Sequence, residues 1–160
     1  MIWMRTILLI TVALFLASCK QNSSSQKMDI MRNSLMEADK NWSAMAAEKG
    51  YNFSRTRFAA TDAINMLQGS MPLRGIKAIE EYASTHSDTG FTIQWKPIKS
   101  EVALSGELGY TFGGWILKTK TFHGKDTLMY GDYITVWRKL ADGSWKYVID
   151  GGNDTPGSVE

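Results

Sequence analysis

From Phe91 onward apolar and polar residues alternate with a period of two, and this pattern restricts the fold more than any other feature of the chain. Phe91, Ile93 and Trp95 alternate with Thr92, Gln94 and Lys96, as in a strand with one buried face. Pro97 cannot donate to a strand ladder, which puts this strand at a sheet edge or at a bulge; Ile98, Val102 and Leu104 continue in the other phase. Residues 108–112 and 115–117 read as the next strand, with a bulge expected at Gly113-Gly114. Residues 130–140 and 145–149 read as two more, joined by Asp142-Gly143, a strong hairpin signal. With those two residues as the loop, Thr135 faces Asp150, Trp137 faces Val148 and Arg138 faces Tyr147. Alternation then gathers Tyr133, Thr135, Trp137, Val148 and Asp150 on one face. Ile134, Val136, Leu140, Trp145, Tyr147 and Ile149 fall on the other. The first face, aromatic with a carboxylate and hydroxyls, is expected to be the concave one.

Upstream the period changes to that of a helix. Met28, Met31, Leu35, Ala38, Trp42 and Met45 recur every three or four residues, and Gly50 is a plausible stop. Asp39 lies on the margin of this stripe, a place read first as solvated and second as a carboxylate reaching a cavity. A second short helix is expected over residues 51–60, a strand over 61–67, and an amphipathic helix from Ile76 to near Ser87. Helices first and a run of long antiparallel strands last indicate an α+β fold.

The first residues carry an address. Arg5 precedes an apolar run over residues 7–17, shorter than the ~20 residues that cross a bilayer and suited to a signal peptide. Leu16-Ala17-Ser18-Cys19 follows and resembles the lipobox of bacterial lipoproteins, in which the cysteine is lipidated and becomes the mature N-terminus. Cys19 is the single cysteine of the 160 residues, so an intrachain disulfide framework and a Cys-rich zinc site are excluded. Residues 20–27 contain no apolar side chain and read as a flexible tether. The resulting division is a leader at 1–18, the lipidated cysteine and tether at 19–27, a folded domain at 28–153 and a tail at 154–160. The implied location is the bacterial cell envelope, with membrane attachment through Cys19. Lys20 after the cysteine favours the outer membrane over the inner, by resemblance to enterobacterial sorting. Eighteen Lys and Arg against sixteen Asp and Glu are too balanced for a nucleic-acid partner. Neither His86 nor His123 has a partner at metal-ligand spacing, and no metal or cofactor is expected.

The order of elements resembles the cone-shaped roll of the nuclear-transport-factor-two-like, or SnoaL-like, superfamily, which includes ketosteroid isomerase. The resemblance rests on Pro72-Leu73-Arg74-Gly75, Trp95-Lys96-Pro97, residues 105–113, Gly131-Asp132-Tyr133 with the strand after it, and residues 142–150. It implies N-terminal helices packed on a strongly curved, mostly antiparallel sheet with a cavity on its concave side, and homodimers formed through the sheet.

For the cavity the expected lining is Trp42, Trp95, Tyr110, Tyr133, Trp137 and Asp150, aromatic walls with one carboxylate and two phenols to orient a ligand. Two functions fit. The favoured one is binding of a small apolar or amphipathic molecule. The alternative is a cofactor-free enzyme resembling ketosteroid isomerase, for which Asp150, Tyr133 and Asp39 are the candidate acid–base groups. The bland reading of Asp150 is a strand-end carboxylate that caps the Gly151-Gly152 backbone.

Overall fold

The computed structural model describes residues 2–121 and 123–159, with side chains from residue 24 onward. Cys19 and the side chains of the leader lie outside the described residues. Among the described residues no helix is long and apolar enough to cross a membrane.

Three helices and six strands follow one another as α1 (Ile2–Lys49), α2 (Tyr51–Phe58), β1 (Ala59–Asn65), β2 (Leu73–Arg74), α3 (Ile76–Thr85), β3 (Phe91–Val102), β4 (Leu108–Lys120), β5 (Asp126–Lys139) and β6 (Trp145–Thr155). Residues 24–27, read as a tether, continue α1, since Gln26 and Lys27 are good helix formers that extend a helix already nucleated downstream. The strands form one sheet in the order β2-β1-β6-β5-β4-β3. All neighbours are antiparallel except β1 and β6, so the sheet is mixed and open. This is the expected α+β architecture of helices laid on a curved sheet.

Helix α1 crosses the concave face and covers the free edge of the sheet. Its buried side is Met28, Leu35, Asp39, Trp42, Ser43 and Ala46. The Ser43 hydroxyl accepts from the Trp95 backbone N–H (3.0 Å) and donates to the Trp95 carbonyl (2.8 Å), satisfying edge strand β3 where no further strand pairs with it. Gly50, at φ 92°, breaks α1 from α2 and sits where a Cβ would be 2.9 Å from Asp88 Oδ2.

Two irregularities set which side chains face inward, and both differ from the simple hairpin reading. Leu140 N–H donates to the Ser144 carbonyl and Lys139 pairs with Trp145, so the turn has three residues, Ala141-Asp142-Gly143, with Gly143 at φ 85°. A bulge between Val136 and Trp137 on the paired strands then restores the register, and Thr135 does lie opposite Asp150. Between the two, Trp137 pairs with Tyr147 rather than Val148, and Arg138 with Lys146. Trp145 and Tyr147 therefore join Trp137 in the core instead of facing out. The second expected bulge moves as well: β4 runs unbroken through Gly113 and Gly114 against β5, and the shift is in β3 between Pro97 and Lys99.

In β4 the residues turned toward the core are the small ones, Gly109, Thr111 and Gly113, because large side chains from elsewhere lie across them. A Cβ on Gly109 would sit 2.7 Å from Leu35 Cδ2, and one on Gly113 2.8 Å from the Tyr133 hydroxyl. Trp115 covers Gly131 on β5 in the same manner. The larger Tyr110 and Phe112 are displaced to the outer face, where they pair across the sheet with Val136 and Ile134. The tail turns back so that Val159 lies over Gly114, while Ile98, Ile134 and Ile149 stay exposed.

The glycine platforms are directly testable. Gly131→Ala drives a methyl into the Trp115 ring and is expected to destabilise by about 1–3 kcal/mol, the range of overpacked cores. At roughly 2–4 °C per kcal/mol for a chain of this size, thermal unfolding should show a fall in Tm of several degrees. Gly157→Ala, with open space around it, should leave Tm unchanged.

Candidate functional site

An open cavity of about 500 Å³ lies between the concave sheet, α1, α2 and the segment that follows β1. Two helices, four strands and the segment after β1 contribute to its wall: Trp42 from α1, Tyr51 from α2, Trp95 from β3, Trp115 from β4, Tyr133 and Thr135 from β5, Asp150 and Asp154 from β6, and Met66, Leu67 and Gln68 after β1. Of the six lining residues expected, Trp42, Trp95, Tyr133 and Asp150 are there. Trp137 faces inward but is fully buried behind the cavity, with its edge on Trp42 at a centroid distance of 5.7 Å. Tyr110 is not part of the site, because the inward places of β4 belong to its small residues and leave Tyr110 on the outer face.

Trp42 is the centre of the aromatic cluster. Its ring stacks on Tyr147 (4.9 Å, 10°) and Phe58 (5.9 Å, 20°) and meets Trp95 edge to face (5.1 Å, 80°). The bulge in the β5–β6 ladder makes this cluster possible, since it turns Tyr147 inward.

Asp150 is mid-strand in β6, not at a strand end, and its partners are side chains rather than the Gly151-Gly152 backbone. Thr135 Oγ1 donates to one carboxylate oxygen (2.7 Å) and Asn65 Nδ2 to the other (2.9 Å). Asn65 Oδ1 accepts from Arg55 Nη1 (3.3 Å), and Arg55 Nη2 donates to Asn52 Oδ1 (2.6 Å). An amide is the side chain that accepts from a cation and donates to an anion at once, so Asn65 relays Arg55 to Asp150. The guanidinium is 1% exposed and lies over the rings of Tyr51 (5.2 Å) and Tyr82 (4.8 Å). Burial pushes the Asp150 carboxyl up to about 6, with Thr135 and Arg55 opposing the shift and Asp39 adding to it.

Asp39 is fully buried, contrary to its reading as a solvated margin. It accepts from Trp95 Nε1 (2.7 Å) and the Tyr133 hydroxyl (2.8 Å), and Thr111 donates to it as well. Burial raises its pKa, and those three hydrogen bonds pull it back. It stands behind Trp95 and Tyr133 and holds both against the cavity. The Tyr133 phenol is held far above its ordinary value, first by burial and then by Asp39, so it stays protonated. Asn65, Arg55 and Tyr51 had no signal in the sequence: each lies in a short element, and Asn65 meets Asp150 across 85 residues. Among the described residues no three His, Cys, Asp or Glu side chains gather to hold a metal ion.

The pH dependence of stability follows from Asp150. Its folded pKa lies above the ordinary 3.8, so between that value and about 6 the folded chain keeps a proton that the unfolded chain has released. Its contribution is complete at the acid end, falls as pH rises through this window and is level above it. Denaturant unfolding of wild type and Asp150→Asn at pH 4.5 and 7 should show the wild type losing roughly 2 kcal/mol more than the variant over the interval. Parallel behaviour of the two proteins would mean that the carboxyl titrates at its ordinary pH.

No protein-family model matches the sequence, and no curated protein matches it. Solved structures do match the fold. A nuclear transport factor 2-like protein with a cystatin-like fold from Novosphingobium aromaticivorans superposes with a TM-score of 0.68 at 14% identity, over 87% of this chain and 91% of that one. A nuclear transport factor 2-like superfamily protein from Salmonella enterica gives 0.62 at 13% identity, over 81% and 95%. A ketosteroid isomerase-like protein from Erwinia carotovora gives 0.58 at 14% identity, over 74% and 95%. Helices on a curved open sheet, with a cavity at the concave side, are therefore the fold this chain shares with nuclear-transport-factor-two-like and ketosteroid isomerase-like proteins.

Proposed function

We propose that the domain binds a small apolar or amphipathic molecule in the concave cavity. The observation that carries this reading is the wall itself: aromatic side chains around about 500 Å³, within the usual range of ligand sites, with the carboxylate of Asp150 set among them. A cone built only for packing would be filled by its own side chains. Here the glycines of β4 and β5 let the rings of Tyr133 and Trp115 lie flat on the sheet and leave the middle open.

A second reading is favoured by one specific feature. A carboxyl at about 6 on the wall of an apolar cavity is suited to take a proton from a carbonyl-containing substrate near neutral pH, as a general base. The two readings separate on Asp150→Asn. For binding alone, the variant keeps its fold and loses affinity by about 1–3 kcal/mol, the scale of one buried hydrogen bond, when hydrophobic carbonyl compounds are titrated against tryptophan fluorescence. For catalysis, the variant still binds but turnover falls roughly 10²–10⁴-fold. Failure of every such compound to bind wild type would remove both readings.

The same proposal places the domain in the bacterial cell envelope, anchored by lipid on Cys19, in the outer membrane before the inner. Wild-type chain should partition into the detergent phase, and Cys19→Ala should accumulate as unprocessed precursor. A soluble wild type cleaved elsewhere would refute the anchor. The outer face of the sheet supports pairing with a second copy. Tyr110, Val136 and Ile149 sit side by side in register next to Phe112 and Ile134, while Ser158 and Val159 of the tail lie beside Gly114, Ile98 and Ile116.

A further inference from the structure

The hydrogen-bonding inventory of the cavity wall is one-sided. Trp95 Nε1 and the Tyr133 hydroxyl donate to Asp39, at 2.7 and 2.8 Å. The Thr135 hydroxyl donates to Asp150 (2.7 Å), Trp115 Nε1 to the Asp132 carbonyl (3.1 Å) and Gln68 to Asp154 (2.9 Å). These donors are already engaged by the protein, and the one indole N–H of the wall without a partner is that of Trp42, which is buried. Among the described residues no Lys, Arg or His is part of the wall, whereas two carboxylates, Asp150 and Asp154, are. Each oxygen of Asp150 takes one donor from the protein and retains a further lone pair. Arg55 does not fill it, because the guanidinium reaches Asp150 only through Asn65 and stands outside the wall. What this surface lacks, among the described residues, is positive charge. What it holds in excess is acceptor oxygen and aromatic carbon, the two features that recognise a cation.

Resting on the reading that the cavity is a ligand site, we propose that its ligand is an organic ammonium. The N–H groups of a protonated amine meet Asp150, and its apolar body lies among Trp42, Trp95, Trp115 and Tyr133. Of the two carboxylates Asp150 is the one at the buried end, 8% exposed, while Asp154 is exposed and already accepts from Gln68. The ligand therefore enters amine first, with its carbon end toward the mouth. A carboxylate-bearing ligand of the same shape would meet Asp150 with like charge and no cation on the described wall to offset it.

Three probes that share a 2-phenylethyl group test this: 2-phenylethylammonium, propylbenzene and 3-phenylpropanoate, carrying a positive, neutral and negative end. They are titrated against tryptophan fluorescence of the full chain in phosphatidylcholine nanodiscs at pH 7.5, with empty discs as blank. The ammonium should bind at least tenfold more tightly than propylbenzene, and 3-phenylpropanoate more weakly than either. In Asp150→Asn, checked for folding by circular dichroism, the gap between ammonium and propylbenzene should close. If propylbenzene binds as well as the ammonium or better, the charge preference is refuted while the cavity reading stands. A preference kept in Asp150→Asn also refutes the assignment to Asp150. If none of the three binds, the cavity reading falls with it. The comparison among probes on wild type decides the matter even where the variant fails to fold.

Discussion

A single buried carboxylate ties the layers of this fold together. Asp39 comes from the helix that crosses the sheet, and its three donors come from three adjacent strands: Trp95 on β3, Thr111 on β4 and Tyr133 on β5. A carboxylate withdrawn from water is costly unless its oxygens are satisfied, so this set of contacts specifies how α1 sits on the sheet rather than merely adding to stability. Thr111 extends the network by accepting from Trp137 Nε1 (2.9 Å), which fixes the innermost indole. Removing Asp39 would leave an indole N–H and a phenol without acceptors in a region closed to water.

The cavity stands between this polar node and a second one. On the far side Arg55, Asn65 and Asp150 connect α2, β1 and β6 through hydrogen bonds, with Tyr51 and Tyr82 sandwiching the guanidinium. The two nodes do different work. Asp39 is shut behind Trp95 and Tyr133 and acts by orienting them, while Asp150 faces the open space. Their charges are coupled, since Asp39 raises the Asp150 carboxyl and Arg55 lowers it.

Much of this arrangement was legible along the chain. The alternation after Phe91, the helical stripe around Leu35 and Trp42, and the turn residues together indicate helices on a curved sheet, and Trp42, Trp95, Tyr133 and Asp150 could be named as its lining. The pairing of Thr135 with Asp150 also came out correctly, for a reason alternation does not contain. The turn has one residue more than the Asp-Gly reading, and the bulge at Val148 cancels the offset after the three pairs from Lys139–Trp145 to Trp137–Tyr147. Between turn and bulge the register was wrong by one, which sent Tyr147 and Trp145 to the wrong face. Tyr110 was misplaced for the opposite reason: aromatic residues normally turn inward, but in β4 the inward places are occupied by side chains from α1 and β5, so glycine and threonine face the core.

The sequence by itself determined what depends on near neighbours: the periods of helix and strand, the turn positions and the class of fold. Periodicity and turn chemistry act over a few residues and are written in the order of the chain. Only the tertiary structure decided that Asp39 is buried, that Asn65 joins Arg55 to Asp150, and that the glycines of β4 and β5 hold a cavity open. Each of these depends on groups brought together across tens of residues, Tyr133 with Asp39 across 94 and Asn65 with Asp150 across 85. The partner that satisfies a buried polar group is set by which elements pack against one another, and no local pattern encodes that.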